Sequence, residues 1–291
     1  MMQFLKEKTF WKRAFFLFLL SPLLVLGLLN ILGPQMEMED NELLEDLISA
    51  GLDKDHLHIS YVESAEGKLR FMHYAEDSIK PLLLMIHGSP GDLSGFELYF
   101  KDSILRSKFQ LVAFDRPGFG KSTRPASPSL DEQMTALQEV LDQTAYSDLY
   151  LLGHSYGGSI VWTSFLHSVK GLKHSLVIAG SVDPELEPRE WWRPLLDQPL
   201  VSWTLPRMLN SSNHEIKGLY EELLVLHSID PIGKGAMTVF QGDVDRLVPP
   251  GNAHYLKEKV KDSDIIWFKG EGHFILWSKQ REIADYIIGL L

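Results

Sequence analysis

Cysteine is absent from the chain, which excludes a thiol nucleophile, disulfides and cysteine-based metal sites. Basic residues are in deficit, 28 Lys and Arg against 39 Asp and Glu for a formal net charge of -11. A polyanion binder neutralises phosphates with Lys and Arg, so this balance argues against a nucleic-acid partner and reads as solubility. No internal repeat is visible either. What remains is a chain of 291 residues with 45% hydrophobic content, enough to bury one large core in a single α/β domain.

Long hydrophobic runs are also missing, with one exception. Lys6, Lys8, Lys12 and Arg13 precede an uncharged stretch from Ala14 to Leu32. As a helix these residues reach about 28 Å, close to the roughly 30 Å of a bilayer's hydrocarbon core. A secretory signal peptide is the rival reading, but Ile31 lies where a cleavage site wants a small residue, and Pro34 follows Gly33. The favoured expectation is one uncleaved transmembrane signal anchor within residues 1–34, meeting the bilayer through residues 14–32. The basic flank before it and Glu37, Glu39, Asp40 and Glu42 after it place the large domain on the non-cytoplasmic side; secretion after cleavage is the alternative. Residues 35–55 read as a juxtamembrane linker with a short amphipathic helix, and residues 56–291 as the main domain.

In that domain β-rich segments alternate with helical patterns. Strands are predicted near 57–63, 68–75, 81–87, 109–114, 148–153, 175–180, 236–241 and 264–269. Helices are predicted near 94–106, 130–145, 156–169, 251–261 and 277–290. Two adjoining strands followed by strand-helix alternation predict a mostly parallel eight-stranded sheet with helices on both faces. Leu82-Leu83-Leu84-Met85-Ile86 is continuously apolar, as a strand covered on both sides should be. Residues 183–235 break the alternation. This interval holds Trp191, Trp192, Trp203 and a helix-like stretch from Glu215 to Leu226, and an insertion that long reads as a cap over a site. The three tryptophans either face a substrate pocket or pack the cap on the core.

Gly153-His154-Ser155-Tyr156-Gly157 follows the apolar run Leu149 to Leu152. A Gly-x-Ser-x-Gly placed where a buried strand turns sharply into a helix is a nucleophile elbow, which pushes the serine hydroxyl outward. A serine needs a base, and a base needs an acid to orient it. Gly242 to Pro249 and Gly270-Glu271-Gly272-His273-Phe274 each follow a predicted strand, at the sheet edge where open α/β proteins place ligands.

These motifs resemble the α/β-hydrolase superfamily, from about His56 to the C-terminus. The resemblance implies the α/β-hydrolase fold with a helical cap, Ser155 as nucleophile, His273 as general base and Asp245 as the acid, with Asp243 a turn residue. Asp183, after the preceding strand, is the alternative acid, since some members carry theirs there. His87-Gly88-Ser89-Pro90-Gly91 resembles the family's oxyanion loop, implying the backbone N–H groups of Ser89 and Tyr156 as oxyanion donors and His87 as a brace. Asp115 to Ser122 resembles a structural turn of the family. Its Gly-Lys-Ser is not a phosphate loop, because the required glycine is Asp115 here. His167, His174, His214 and His254 lack metal-ligand spacing.

The implied chemistry is acyl transfer to water, with a carboxylester the expected substrate and neither a metal nor an organic cofactor required. Epoxide hydrolases and haloalkane dehalogenases share the His-Gly-x-Pro loop but use Asp as nucleophile, where this chain has Ser155. A proline-iminopeptidase-like aminopeptidase is the nearest enzymatic alternative, with Glu185, Glu187, Glu190, Glu221 and Glu222 in the cap to meet an amine. A ligand-binding protein on the same fold is the alternative outside enzymes. Substrate identity and oligomeric state are not encoded in any motif.

Overall fold

A computed structural model describes residues 38–231 and 235–291, together with the helical positions Ser21, Leu24 and Gly27. The expected membrane segment 14–32 thus lies almost wholly outside the described residues. Among the described residues, no helix is long and apolar enough to cross a membrane.

Eight strands form one sheet: β1 (Leu57–Ser64), β2 (Gly67–Tyr74), β3 (Leu82–Ile86), β4 (Gln110–Phe114), β5 (Leu149–His154), β6 (Leu172–Ile178), β7 (Ala236–Gly242) and β8 (Asp264–Phe268). Their spatial order is β1-β2-β4-β3-β5-β6-β7-β8. The hairpin β1–β2 is antiparallel and joins β4 antiparallel, while all pairs from β4 to β8 are parallel. The mostly parallel eight-stranded sheet expected from the sequence is therefore present.

The reason is burial on both faces. Every residue of β3, β4 and β5 is buried, and a separate apolar cluster covers each side of the sheet. One is built by α4 (Leu130–Leu141), α5 (Tyr156–Leu166) and α9 (Gly251–Lys259). The other holds α1 (Asp40–Ser49), α2 (Glu97–Lys101), α3 (Ser103–Lys108) and α11 (Gln280–Ile288). Helix α5 is buried at every position, and its polar side chains Ser159, Thr163 and Ser164 are satisfied by backbone carbonyls. Helix α1, within the segment read as a linker, docks through Leu43 and Leu47, both fully buried. The ion pairs Asp40–Arg70 and Asp46–Lys101 flank it.

Between β6 and β7 stand α6 (Arg193–Leu196), α7 (Pro199–Ser202) and the long α8 (Arg207–His227). Helix α8 buries Met208, Ser211, Ser212, Glu215, Leu219 and Leu223, a stripe at three- and four-residue spacing that faces inward. Its Leu219, Leu223 and Leu226 join the core beside α5. A short α10 (Ile275–Ser278) follows the last strand.

Candidate active site

The sharp turn from β5 into α5 carries Ser155 at φ 54°, ψ -119°, a left-handed backbone that a non-glycine residue adopts at a cost of about 1–3 kcal/mol. Close packing enforces it. A Cβ on Gly153 would lie 2.2 Å from the Gly157 carbonyl oxygen, and one on Gly157 would lie 2.2 Å from that of Ile86. Only glycine fits at either position, so the backbone crosses tightly over β3 and presents Ser155 at the sheet's edge.

Ser155 opens into a cavity of about 620 Å³ that is also lined by Ser89, His154, Tyr156 and His273. The imidazole of His273, just beyond β8, donates from Nδ1 to Asp245 Oδ2 at 2.9 Å. Asp245 follows β7, and its other oxygen accepts the backbone N–H groups of Leu247 and Val248 at 2.8 and 2.9 Å. Burial pushes the Asp245 carboxyl up, but the His273 bond and these two amides outweigh it and hold the group below the usual carboxylate range. The pair is therefore a fixed carboxylate behind an oriented imidazole whose Nε2 takes no part in that bond.

Asp183 is elsewhere. Its Oδ1 accepts the N–H of Glu185 at 2.9 Å and its own N–H donates to Asn252, so it shapes the entry to the cap and does not meet His273. Asp243 accepts the N–H of Gly270 at 2.6 Å, linking the two loops that carry Asp245 and His273.

The loop after β3 lies against Ser155, since a Cβ on Gly88 would come within 2.9 Å of Ser155 Cβ. Its Ser89 shares the cavity wall with Tyr156, whose N–H, as the first of α5, has no partner inside the helix. His87 braces this loop. Its Nδ1 donates to the Gly88 carbonyl at 2.7 Å and its Nε2 accepts the Arg116 N–H at 3.1 Å. Burial, then the nearby Arg116 cation, holds His87 neutral, well below the usual imidazole range.

Two residues essential to this arrangement carried no signal in the sequence. Arg116 is fully buried and forms a two-pronged ion pair with Glu215 of α8, at 2.7 and 2.9 Å. Its remaining donors reach the carbonyls of His87 and Gly88 at 3.1 and 2.9 Å. Ser89 Oγ donates to Ser212 of the same helix at 2.9 Å. The cap helix and the loop beside Ser155 are thus one polar unit. Burial raises the Glu215 carboxyl, with Arg116 opposing.

Asp115 closes the structural turn. It accepts the N–H groups of Leu93 and Lys121, both at 2.8 Å, and pairs with Arg70 at 3.2 Å. Burial pushes it up to about 6. Gly120 is obligatory beside it, because a Cβ there would fall 2.0 Å from Asp115 Oδ2.

The tryptophans of the cap behave otherwise than expected. None of Trp191, Trp192 and Trp203 lines the cavity, which takes its indole from Trp277. All three point outward, Trp191 being 82% exposed. Pro194 and Pro199 each stand in the first turn of a short helix, where proline is tolerated. The inner wall is made by Glu187, Pro188, Glu190 and Arg193 together with Ile216 and Leu219 of α8.

The profile of the alpha/beta hydrolase fold family matches residues 81–215, the stretch from β3 through the nucleophile turn to Glu215. The chain has the α/β-hydrolase fold, and this stretch matches that family. Epoxide hydrolase 4 of Mus musculus is 36% identical over 107 residues, 35% of this chain and 29% of that protein. The (lyso)-N-acylphosphatidylethanolamine lipase of Homo sapiens is 28% identical over 176 residues, 59% of this chain and 48% of that protein. The chain therefore spans less than half the length of either. An esterase from Exiguobacterium antarcticum shares the fold with a TM-score of 0.64 at 18% identity, over 79% of this chain and 98% of that one. These relatives and fold neighbours are hydrolases.

Proposed function

We propose that this α/β-hydrolase is a serine hydrolase that cleaves a carboxylester through an acyl-enzyme on Ser155. The observation that carries the reading is the 2.9 Å bond from His273 to Asp245 in a cavity wall shared with a serine held at positive φ. In this reading His273 Nε2 removes the proton as Ser155 Oγ attacks the acyl carbon, and Asp245 stabilises the resulting imidazolium. The N–H groups of Ser89 and Tyr156 receive the developing oxyanion; losing one such donor typically costs about a hundred- to a thousand-fold in rate. His273 then protonates the departing alcohol and activates the water that releases the acid.

Ser155 separates this proposal from the chemistry named in the epoxide hydrolase relatives, because an epoxide opened by a serine would leave an ether that water does not readily cleave. The aminopeptidase alternative is weakened by the cap's own acids. Of these, Glu187 and Glu190 reach the cavity, but burial pushes Glu187 toward its neutral form and Glu190 is paired with Arg193. Neither is a free carboxylate awaiting an amine. From the uncharged run and its basic flank we further propose that the domain lies on the non-cytoplasmic side of a membrane, anchored by residues 14–32.

Labelling with a fluorophosphonate tests the reading. Wild type is expected to label and to hydrolyse p-nitrophenyl esters, and Ser155→Ala to lose both while keeping its melting temperature. Full labelling of that variant, or turnover of prolyl-p-nitroanilide without ester hydrolysis, would overturn it.

A further inference from the structure

The outer face of the cap crowds large apolar side chains into solvent. Within residues 191–203, Trp191, Leu195, Leu200 and Trp203 are 82%, 53%, 52% and 49% exposed. Single exposed apolar residues are ordinary, but a run of them in one short segment marks an interaction surface. The charges of this segment turn away from it: Asp197 binds Lys217 and Asn213 of α8, and Arg193 pairs with Glu190. What is left outside is tryptophan and leucine, the composition of a membrane-facing surface.

A second observation says what covers it. Gly27, inside the uncharged run Ala14 to Leu32, is buried, and a Cβ there would fall 2.6 Å from the Trp203 ring. Leu24 of the same run is 51% exposed. The run has no polar face, so contact with the cap cannot satisfy it all round. Bilayer hydrocarbon suits both the apolar composition of the run and the cap's outer face. The segment is also thin: Pro188, Glu190 and Arg193 line the cavity, while the neighbouring Trp191 stands outside. Leu247 and Phe274, both 62% exposed, complete an apolar rim of that cavity.

We propose that cap residues 191–203 seat on a lipid bilayer beside the apolar run, and that the cavity draws its substrate, an ester with a long hydrocarbon chain, from that bilayer. The substrate half of this rests on the serine hydrolase reading above; the seating half does not.

The test uses the full chain in dioleoylphosphatidylcholine nanodiscs. Fluorescence lost between wild type and Trp191→Phe isolates the Trp191 signal, which is expected to be quenched strongly by phosphatidylcholine brominated on its acyl chains. Turnover is measured on monooleoylglycerol held in vesicles and on p-nitrophenyl butyrate in solution. The variant Trp191→Ser/Leu200→Ser is expected to lose about tenfold or more on the vesicle substrate and to stay within about twofold on the soluble one, as loss of an interfacial contact predicts. An unquenched Trp191 overturns the seating, and is also the result expected if the apolar run folds over the cap. Equal loss on both esters overturns the lateral route. If wild type turns over neither ester, the hydrolase reading fails, while the quenching still decides the seating.

Discussion

At Ser155 the backbone strain and the packing of two glycines serve one end, a hydroxyl held at the rim of the sheet beside His273. Asp245 and Asp183 are sorted by contact with His273, since Asp245 carries the 2.9 Å bond while the Asp183 carboxylate accepts the Glu185 N–H. Replacing the acid by its amide leaves the shape but presents the imidazole in the wrong tautomer. Asp245→Asn is therefore expected to lower kcat about three orders of magnitude or more, and Asp183→Asn to leave it within a few-fold; steady-state rates on one ester decide. His273 and Asp245, the partners proposed for Ser155, were legible in the sequence because each sits in a glycine-bearing loop directly after a strand. Arg116 and Glu215 were not, because they lie 99 residues apart. A buried ion pair leaves no periodicity, and each residue alone looks like a surface charge.

Among the elements, the strands were readable because parallel strands covered on both faces become unbroken apolar runs. Helix α8 was only half readable. Its second half shows the apolar stripe Leu219, Leu223 and Leu226, but its first half buries Ser211, Ser212 and Asn213, small polar residues that mimic a loop. Each has its own polar partner: Ser212 accepts from Ser89 of the loop beside Ser155, Ser211 donates to the Gly118 carbonyl of the structural turn at 2.7 Å, and Asn213 donates to Asp197 of the cap. The polar half of α8 thus holds the loop after β3, directly through Ser212 and by way of Arg116 through Glu215. Glu215→Ala leaves the Arg116 cation buried and unpaired, a change that costs about 3–5 kcal/mol. Glu215→Gln keeps the shape and some hydrogen bonding while relaxing the hold on the His87 and Gly88 carbonyls. In that milder variant kcat is expected to fall more than KM changes, because a misplaced oxyanion donor weakens the transition state more than the ground state. An increase in KM alone would make Glu215 a residue of substrate binding instead.

Across the whole molecule, buried ionisable groups pull stability in opposite directions with pH. His154, beside Ser155, packs 4.8 Å from the His273 ring and is pushed down to about 3 by burial, then by His273. Kept neutral, it adds no second cation next to the imidazolium that forms at His273 during the proposed reaction. The unfolded chain protonates this histidine near pH 6.5. Its contribution to stability is therefore full above that value and drains away as the pH falls toward about 3. Asp115 acts the other way: at about 6 it takes its proton first in the folded state, so its contribution falls as the pH rises toward that value. Comparing wild type with His154→Asn cancels Asp115 and every other common group. At pH 5 the histidine accounts for about 2 kcal/mol, which for a domain of this size corresponds to roughly 4–8 °C. Between pH 7 and pH 5 the wild-type melting temperature is expected to drop by about that much more than the variant's. Parallel curves would mean that His154 accepts a proton inside the folded site, and that the imidazole beside Ser155 is not held neutral.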